Sequence, residues 1–355
     1  MVRWRSGVVV AVRRKWAGAV ELTVRFDGEE CAALAYPALV GDPRAGDRVL
    51  LNTSAYALGL GTGGYAMVVA LPDRLPPDSE AAGHLVKARY TATQVSVLGV
   101  DEQASPHHAV LADADDLGGM PVVIADLHSA LPAVLAGLAL DAPAARVAYV
   151  MTDGGALPLW FSHTVAGLRA VGQLVGTVTV GQAFGGDLEA VTLHTGLLAV
   201  RLVLGADVAV VSQGPGNLGT GTRWGYSGVA VGEAVNATAA LNGRPVGCLR
   251  ISEADARPRH RGLSHHSRTA FGRVALAAAD LAVPDLPAPV GPDVRRAVAD
   301  LAPPHRLVSV AVDGLAEALA AAPVPLSTMG RGLAADPAYF LAAAAAGRHA
   351  AALLR

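Results

Sequence analysis

The chain has 355 residues, 52% of them hydrophobic, and a formal net charge of −2. That length can bury a large core and suggests two domains, while the near-neutral charge argues against a general nucleic-acid or polyanion binder. The two cysteines, Cys31 and Cys248, lie in different halves with no CxxC spacing, which excludes a disulfide framework or zinc knuckle and fits a reduced, cytoplasmic compartment.

The opening segment MVRWRSGVVVAVRRKW has an apolar run too short, and too closely flanked by Arg, to predict a signal peptide. Residues 7–13, 19–26, 30–36, 47–52 and 65–71 read as short strands separated by turn signals such as Asp27-Gly28 and Gly41-Asp42-Pro43. They predict a small antiparallel β barrel or sandwich over residues 1–72. The proline-rich LPDRLPPDSEAAG leads into a linker expected over 73–93.

Over residues 94–355 the rhythm changes to that of an α/β domain. Apolar runs at 95–100, 121–127, 146–153, 174–182, 207–213, 244–252, 306–313 and 323–328 alternate with helical patterns such as 130–140, 156–171 and 188–204. Continuous apolar runs are strands buried on both faces, so a mostly parallel sheet flanked by helices is predicted. A doubly wound sheet is the first choice and a (β/α)8-like barrel the alternative, although the long gap from 252 to 306 breaks the regular spacing of a barrel. The longest apolar stretch, 190–211, carries His194, Arg201 and Asp207, charges too costly in lipid for a membrane span. Near the end, Asp336 and Pro337 predict the N-cap and first position of a helix.

In such folds ligands bind beyond the carboxyl ends of the strands. The residues expected there include Asp126 and His128 in DLHS, Asp153 after VAYVM, Gln182, and Gln213 with Gly214. Asp126 and His128, if both extended, project to one side and suit a metal or a base–orienter pair, whereas Asp126 or Ser129 would otherwise cap the next helix. The run SQGPGNLGTGTRW matches neither the P-loop nor the dinucleotide fingerprint. It suits an anion-holding loop in which Gly214 and Gly216 expose backbone amides and Thr220 and Arg223 donate. GQAFGGD ends the preceding strand in the same way, with Asp187 expected to cap a helix.

RPRHRGLSHHSRTAFG concentrates four arginines, including Arg268, and three histidines, His260, His265 and His266. Ser264 is the expected N-cap, with His265 and His266 in the first turn. Cations at a positive helix terminus point to an anion or a metal. Adjacent side chains diverge on a regular helix, so only one of His265 and His266 is expected to reach a shared ion.

Together ADLHS, GQAFGGDLEAV, SQGPGNLGTGT, GLSHHSRT and STMGRGLAADPAYFLAAAAAG resemble a bacterial family known as domain of unknown function 3866, essentially over the full chain. The resemblance implies a cytosolic bacterial protein and carries over no catalytic residue. The residues themselves point to a hydrolase or group transferase acting on a small anionic metabolite. Its acid–base or metal-ligand candidates are Asp126, His128, Asp153 and His265 or His266. Its substrate-binding candidates are Gln182, Gln213, Gly214, Gly216, Thr220, Arg223 and Arg268; no cofactor is fixed by the sequence, a divalent metal being one candidate. The alternatives are a non-catalytic small-molecule sensor and an oligomeric structural protein; a homo-oligomer is compatible with each.

Overall fold

Alternating inward residues build the first unit. Val20, Leu22 and Val24 are almost fully enclosed on one strand, opposite Ala33 and Ala35 on the next. The computed structural model describes residues 2–60, 63–78 and 83–355. Its contacts divide the chain into Met1–Val97 with Trp160–Ala166, and Leu98–Leu159 with Gly167–Arg355. Residues 79–82 of the expected linker lie outside the described residues.

In the first unit, β1 (Trp4–Trp16), β2 (Ala19–Phe26), β3 (Glu29–Ala35), β4 (Arg48–Asn52) and β5 (Ala66–Ala70) close into a barrel in the order β1-β2-β3-β5-β4. Register shifts at Val9–Ala11 and Val12–Lys15 let the long β1 bend, so that it pairs with both β2 and β4. The barrel is as expected, and the sandwich alternative does not form. The pairing is not wholly antiparallel, however, because β3 and β5 run parallel. An odd number of strands cannot alternate direction all the way round a closed ring, so one parallel pair is unavoidable.

The main sheet of the second unit has eight strands: β6 (Pro121–Ile124), β7 (Val147–Thr152), β8 (Gly176–Thr179), β9 (Leu188–Glu189), β10 (Val208–Gln213), β11 (Arg244–Cys248), β12 (Asp280–Pro284) and β13 (Arg306–Val310). They form one parallel sheet in the order β9-β8-β7-β10-β6-β11-β12-β13. Strands β6, β8 and β10 are buried at every position, which is why they read as unbroken apolar runs. The sheet is open, so the doubly wound expectation holds and the (β/α)8 alternative does not.

Several expected elements differ. Val95–Val97 pairs with Leu85–Lys87 as a hairpin instead of joining the sheet, and Ser327–Thr328 forms only a two-residue ribbon with Arg331–Gly332. The apparent helix over 188–204 starts as β9 and turns helical at α2 (Leu193–Leu202), where the Thr192 side chain accepts from the Thr195 amide. Asp187 therefore caps no helix; its carboxylate accepts from the amide and hydroxyl of Thr177. The gap before residue 306 conceals β12, a short strand ending in proline.

The connections set the position of the site. The chain leaves β6 through α1 (Leu131–Asp141) toward β7, and leaves β10 through α3 (Ala230–Ala240) toward β11. Those moves run in opposite directions from neighbouring strands, so the carboxyl ends of β6 and β10 flank the topological switch point, where an open α/β sheet has its crevice. Three further helices complete the frame: α4 (His265–Thr269), α5 (Val290–Val298) and α6 (Pro337–Ala352). Helices α1 and α6 cross closely, because a Cβ on Gly137 would fall 1.9 Å from the Ala344 carbonyl oxygen and one on Gly347 1.9 Å from that of Val134.

Candidate functional site

At the switch point, Gln213 ends β10 and its Nε2 donates to the Asp126 carbonyl at 2.7 Å, tying the two strand ends together. The Asp126 side chain points the other way. Its Oδ2 lies 3.2 Å from His266 Nδ1 and 3.4 Å from Arg250 Nη1. Arg250 is 3% exposed and Asp126 9%, so this charge pair is desolvated and depends on mutual compensation. Burial pushes the Asp126 carboxyl up, but the His266 hydrogen bond and the Arg250 charge outweigh it and hold it below its ordinary value.

The histidines arrive on the loop entering α4. The Ser264 side chain caps that helix by accepting from the His266 amide at 3.2 Å, as expected, and its hydroxyl also meets His260 Nδ1 at 2.8 Å. The Tyr226 ring stacks on His266 at 3.7 Å, and its hydroxyl donates to the His266 carbonyl. One ligand nitrogen from each of His260, His265 and His266 lies within 4.8 Å of the others. Only one of the adjacent pair is expected to reach a shared ion; here each offers a nitrogen near the other and near His260, with Ser264 and Tyr226 bracing the turn that carries them. Burial, then neighbouring positive charge, draws the His265 imidazole down to about 4 and that of His260 to about 3, so both are neutral at pH 7.

His265 also lines an open cavity of about 580 Å³, together with Arg223, Arg259, Arg268, Arg273 and Asp300. None of these four guanidiniums has a side-chain hydrogen bond or ion pair among the described residues. Elsewhere pairing is common, as in Arg257 with Asp255, Arg331 with Asp336 and Arg348 with Asp141.

The family model described as "Protein of unknown function (DUF3866)" matches residues 32–347. The chain belongs to that family. No curated protein and no solved structure matches it. The DUF3866 match begins within β3 and ends within α6, so it takes in the whole histidine–arginine region.

The remaining expected residues of this DUF3866 chain disperse. His128 leaves the extended path in a 3-10 turn and hydrogen-bonds Tyr149 through Nδ1 at 3.0 Å, so it and Asp126 engage different partners. Ser129 caps nothing; its hydroxyl meets Tyr339 and Thr328. Asp153 and Gln182 join each other, the Gln182 amide donating to the Asp153 carboxylate at 2.8 Å. The Gly214 amide donates to the Thr152 carbonyl, and a Cβ there would sit 2.5 Å from Ala156 O. That glycine serves close loop packing, with its amide already spent. Gly216 takes a φ of 93° at an exposed turn. Thr220 closes its own loop, its amide donating to Gly225 O at 2.7 Å and its hydroxyl meeting Thr222. Of the proposed anion ligands, Arg223 and Arg268 alone reach the cavity.

Sequence reasoning missed Arg250 and Tyr226 as site-building residues, and read Ser264 only as a helix cap, not as a partner of His260. Arg250 sits inside an apolar strand-like run, where a lone Arg is itself the signal: such a group is buried only with partners. His260 was legible as one of three histidines within seven residues.

Proposed function

We propose that this protein is a cytosolic enzyme that hydrolyses, or transfers a group on, a small anionic metabolite held in the cavity beside His265. The observation that carries this reading is the cavity in which four uncompensated guanidiniums face one carboxylate beside His265. Guanidinium forks suit phosphate and carboxylate oxygens, and the volume lies within the range of small-molecule sites. His265 is the catalytic candidate, a neutral imidazole on the lining. Asp126, Arg250 and Ser264 are positioning residues that hold the neighbouring His266 and His260. The two buried free cysteines fit a reducing compartment.

The test is a melting-temperature and turnover screen against small phosphorylated and carboxylated compounds. At least one is expected to raise the melting temperature of the native chain and be converted. The Arg223→Gln, Arg268→Gln double variant is expected to lose the stabilisation. Stabilisation without turnover assigns the cavity to a sensor, and no stabilisation by any anion overturns the reading.

A further inference from the structure

We infer that His260, His265 and His266 form a three-histidine centre for a divalent transition metal, with Asp126 and Ser264 orienting two of the ligands. The first support is the convergence of three imidazoles from one seven-residue stretch, with candidate nitrogens within 4.8 Å. The second is which atoms remain free. His266 Nδ1 faces Asp126 and His260 Nδ1 faces Ser264, leaving Nε2 on each. His265 Nε2 is itself buried and without a hydrogen-bond partner. A buried ring nitrogen left unpaired is unfavourable, and a metal ion shared among the three imidazoles would satisfy it.

The tautomer agrees. Arg250 Nη1 and Asp126 Oδ2 both approach His266 Nδ1, at 3.1 and 3.2 Å, and one nitrogen cannot serve as donor to the carboxylate and acceptor from the guanidinium. With Nε2 on a metal, Nδ1 carries the proton and donates to Asp126, while Arg250 donates to Asp126 itself. That is the carboxylate–histidine–metal arrangement. Arg250, Arg257 and Arg331 are matched by Asp126, Asp255 and Asp336; the unpaired guanidiniums of the cavity that His265 lines set an electrostatic cost that three metal–nitrogen bonds must outweigh.

Neutral imidazole donors select zinc, copper, nickel or cobalt over magnesium or calcium. Metal–nitrogen bonds of 2.0–2.1 Å in a tetrahedron place the nitrogens roughly 3.3 Å apart, so ligand nitrogens now within 4.8 Å of one another would draw closer on binding. The fourth position would open on the cavity that His265 lines, where water or a substrate oxygen completes the sphere.

The site is tested by stripping the full chain with chelator and titrating Zn2+ by calorimetry and Co2+ by visible absorption. One equivalent of each is expected to bind, with the intense visible bands of tetrahedral cobalt. His265→Ala, verified as folded by circular dichroism, is expected to lose at least tenfold in affinity, and Asp126→Asn tenfold to a hundredfold. His194→Ala, an exposed control, is expected to bind as the native chain does. Failure of the native chain to bind either ion, or native-like binding by His265→Ala, overturns the proposal. The proposal does not rest on the anion reading: Arg268→Gln leaves the cobalt spectrum intact if the metal site is real, whichever way the anion screen falls.

Discussion

His266 Nδ1 lies 3.2 Å from Asp126 Oδ2, across 140 positions of chain. One residue follows the strand β6 and the other opens the helix α4, so their meeting couples the switch point of the sheet to the histidine loop. Arg250 shares the same carboxylate oxygen, and the three groups form a buried unit whose members depend on one another.

Removing Asp126 therefore leaves a buried guanidinium short of charge. Asp126→Ala is expected to cost about 3 kcal/mol, in the range for breaking a buried ion pair. Asp126→Asn, which keeps the hydrogen-bonding shape, should cost less. Urea denaturation at pH 7 measures both; equal stability of the alanine variant and the native chain would show that Arg250 is compensated elsewhere.

The acid limb of stability should carry a histidine signature. Burial draws His128 from an ordinary 6.5 down to about 4. The folded state thus binds fewer protons than the unfolded chain between those values. Its contribution is fully present above pH 6.5 and is lost as the pH falls toward 4, amounting to about 3 kcal/mol. His260 and His265 act in the same direction. Comparing urea midpoints at several pH values for native protein and His128→Asn, the variant should show the shallower dependence; parallel curves would contradict the assignment.

The crossing of α1 and α6 leaves no room for a methyl group. Gly347→Ala places a Cβ 1.9 Å from the Val134 carbonyl oxygen. Alanine is the better helix former by about 1 kcal/mol, so propensity alone predicts a more stable protein. The clash should win, with net destabilisation of about 1–3 kcal/mol as for other overpacked sites. A thermal melt followed by circular dichroism gives the sign directly.

The unpaired arginines should make the ligand-free protein salt-sensitive. Arg223→Gln with Arg268→Gln relieves like-charge repulsion in the cavity. The double variant is expected to melt a few degrees higher at low ionic strength, with the gain shrinking by about 0.5 M NaCl as the screening length falls. A gain indifferent to salt would mean that repulsion is not its source.

Much of the architecture was legible in advance because burial leaves a periodic trace. The five barrel strands and most sheet strands appear as apolar runs bounded by turn residues, and Ser264 announces the start of α4. Where that trace is short, the reading failed: β9 has two residues and sits in front of a helix, and β12 is hidden among prolines. The candidate site was legible only as a set of residue types. The fold brings Asp126 to His266 and sets His265, Arg223 and Arg268 on one cavity, while Asp153, Gln182, Gly214 and Thr220, read by the same logic, engage other local partners.

The sequence by itself determined the family, the strand-rich first unit, the parallel sheet and the histidine-bearing helix start, since these follow from local spacing and from motifs that need no partner. Only the tertiary structure decided that Asp126 faces His266, that Arg250 joins them, and that four arginines share one cavity without an ion pair among the described residues. Those facts depend on the order in which strands lie side by side, and strand order is set by packing of the whole sheet, not by any interval along the chain.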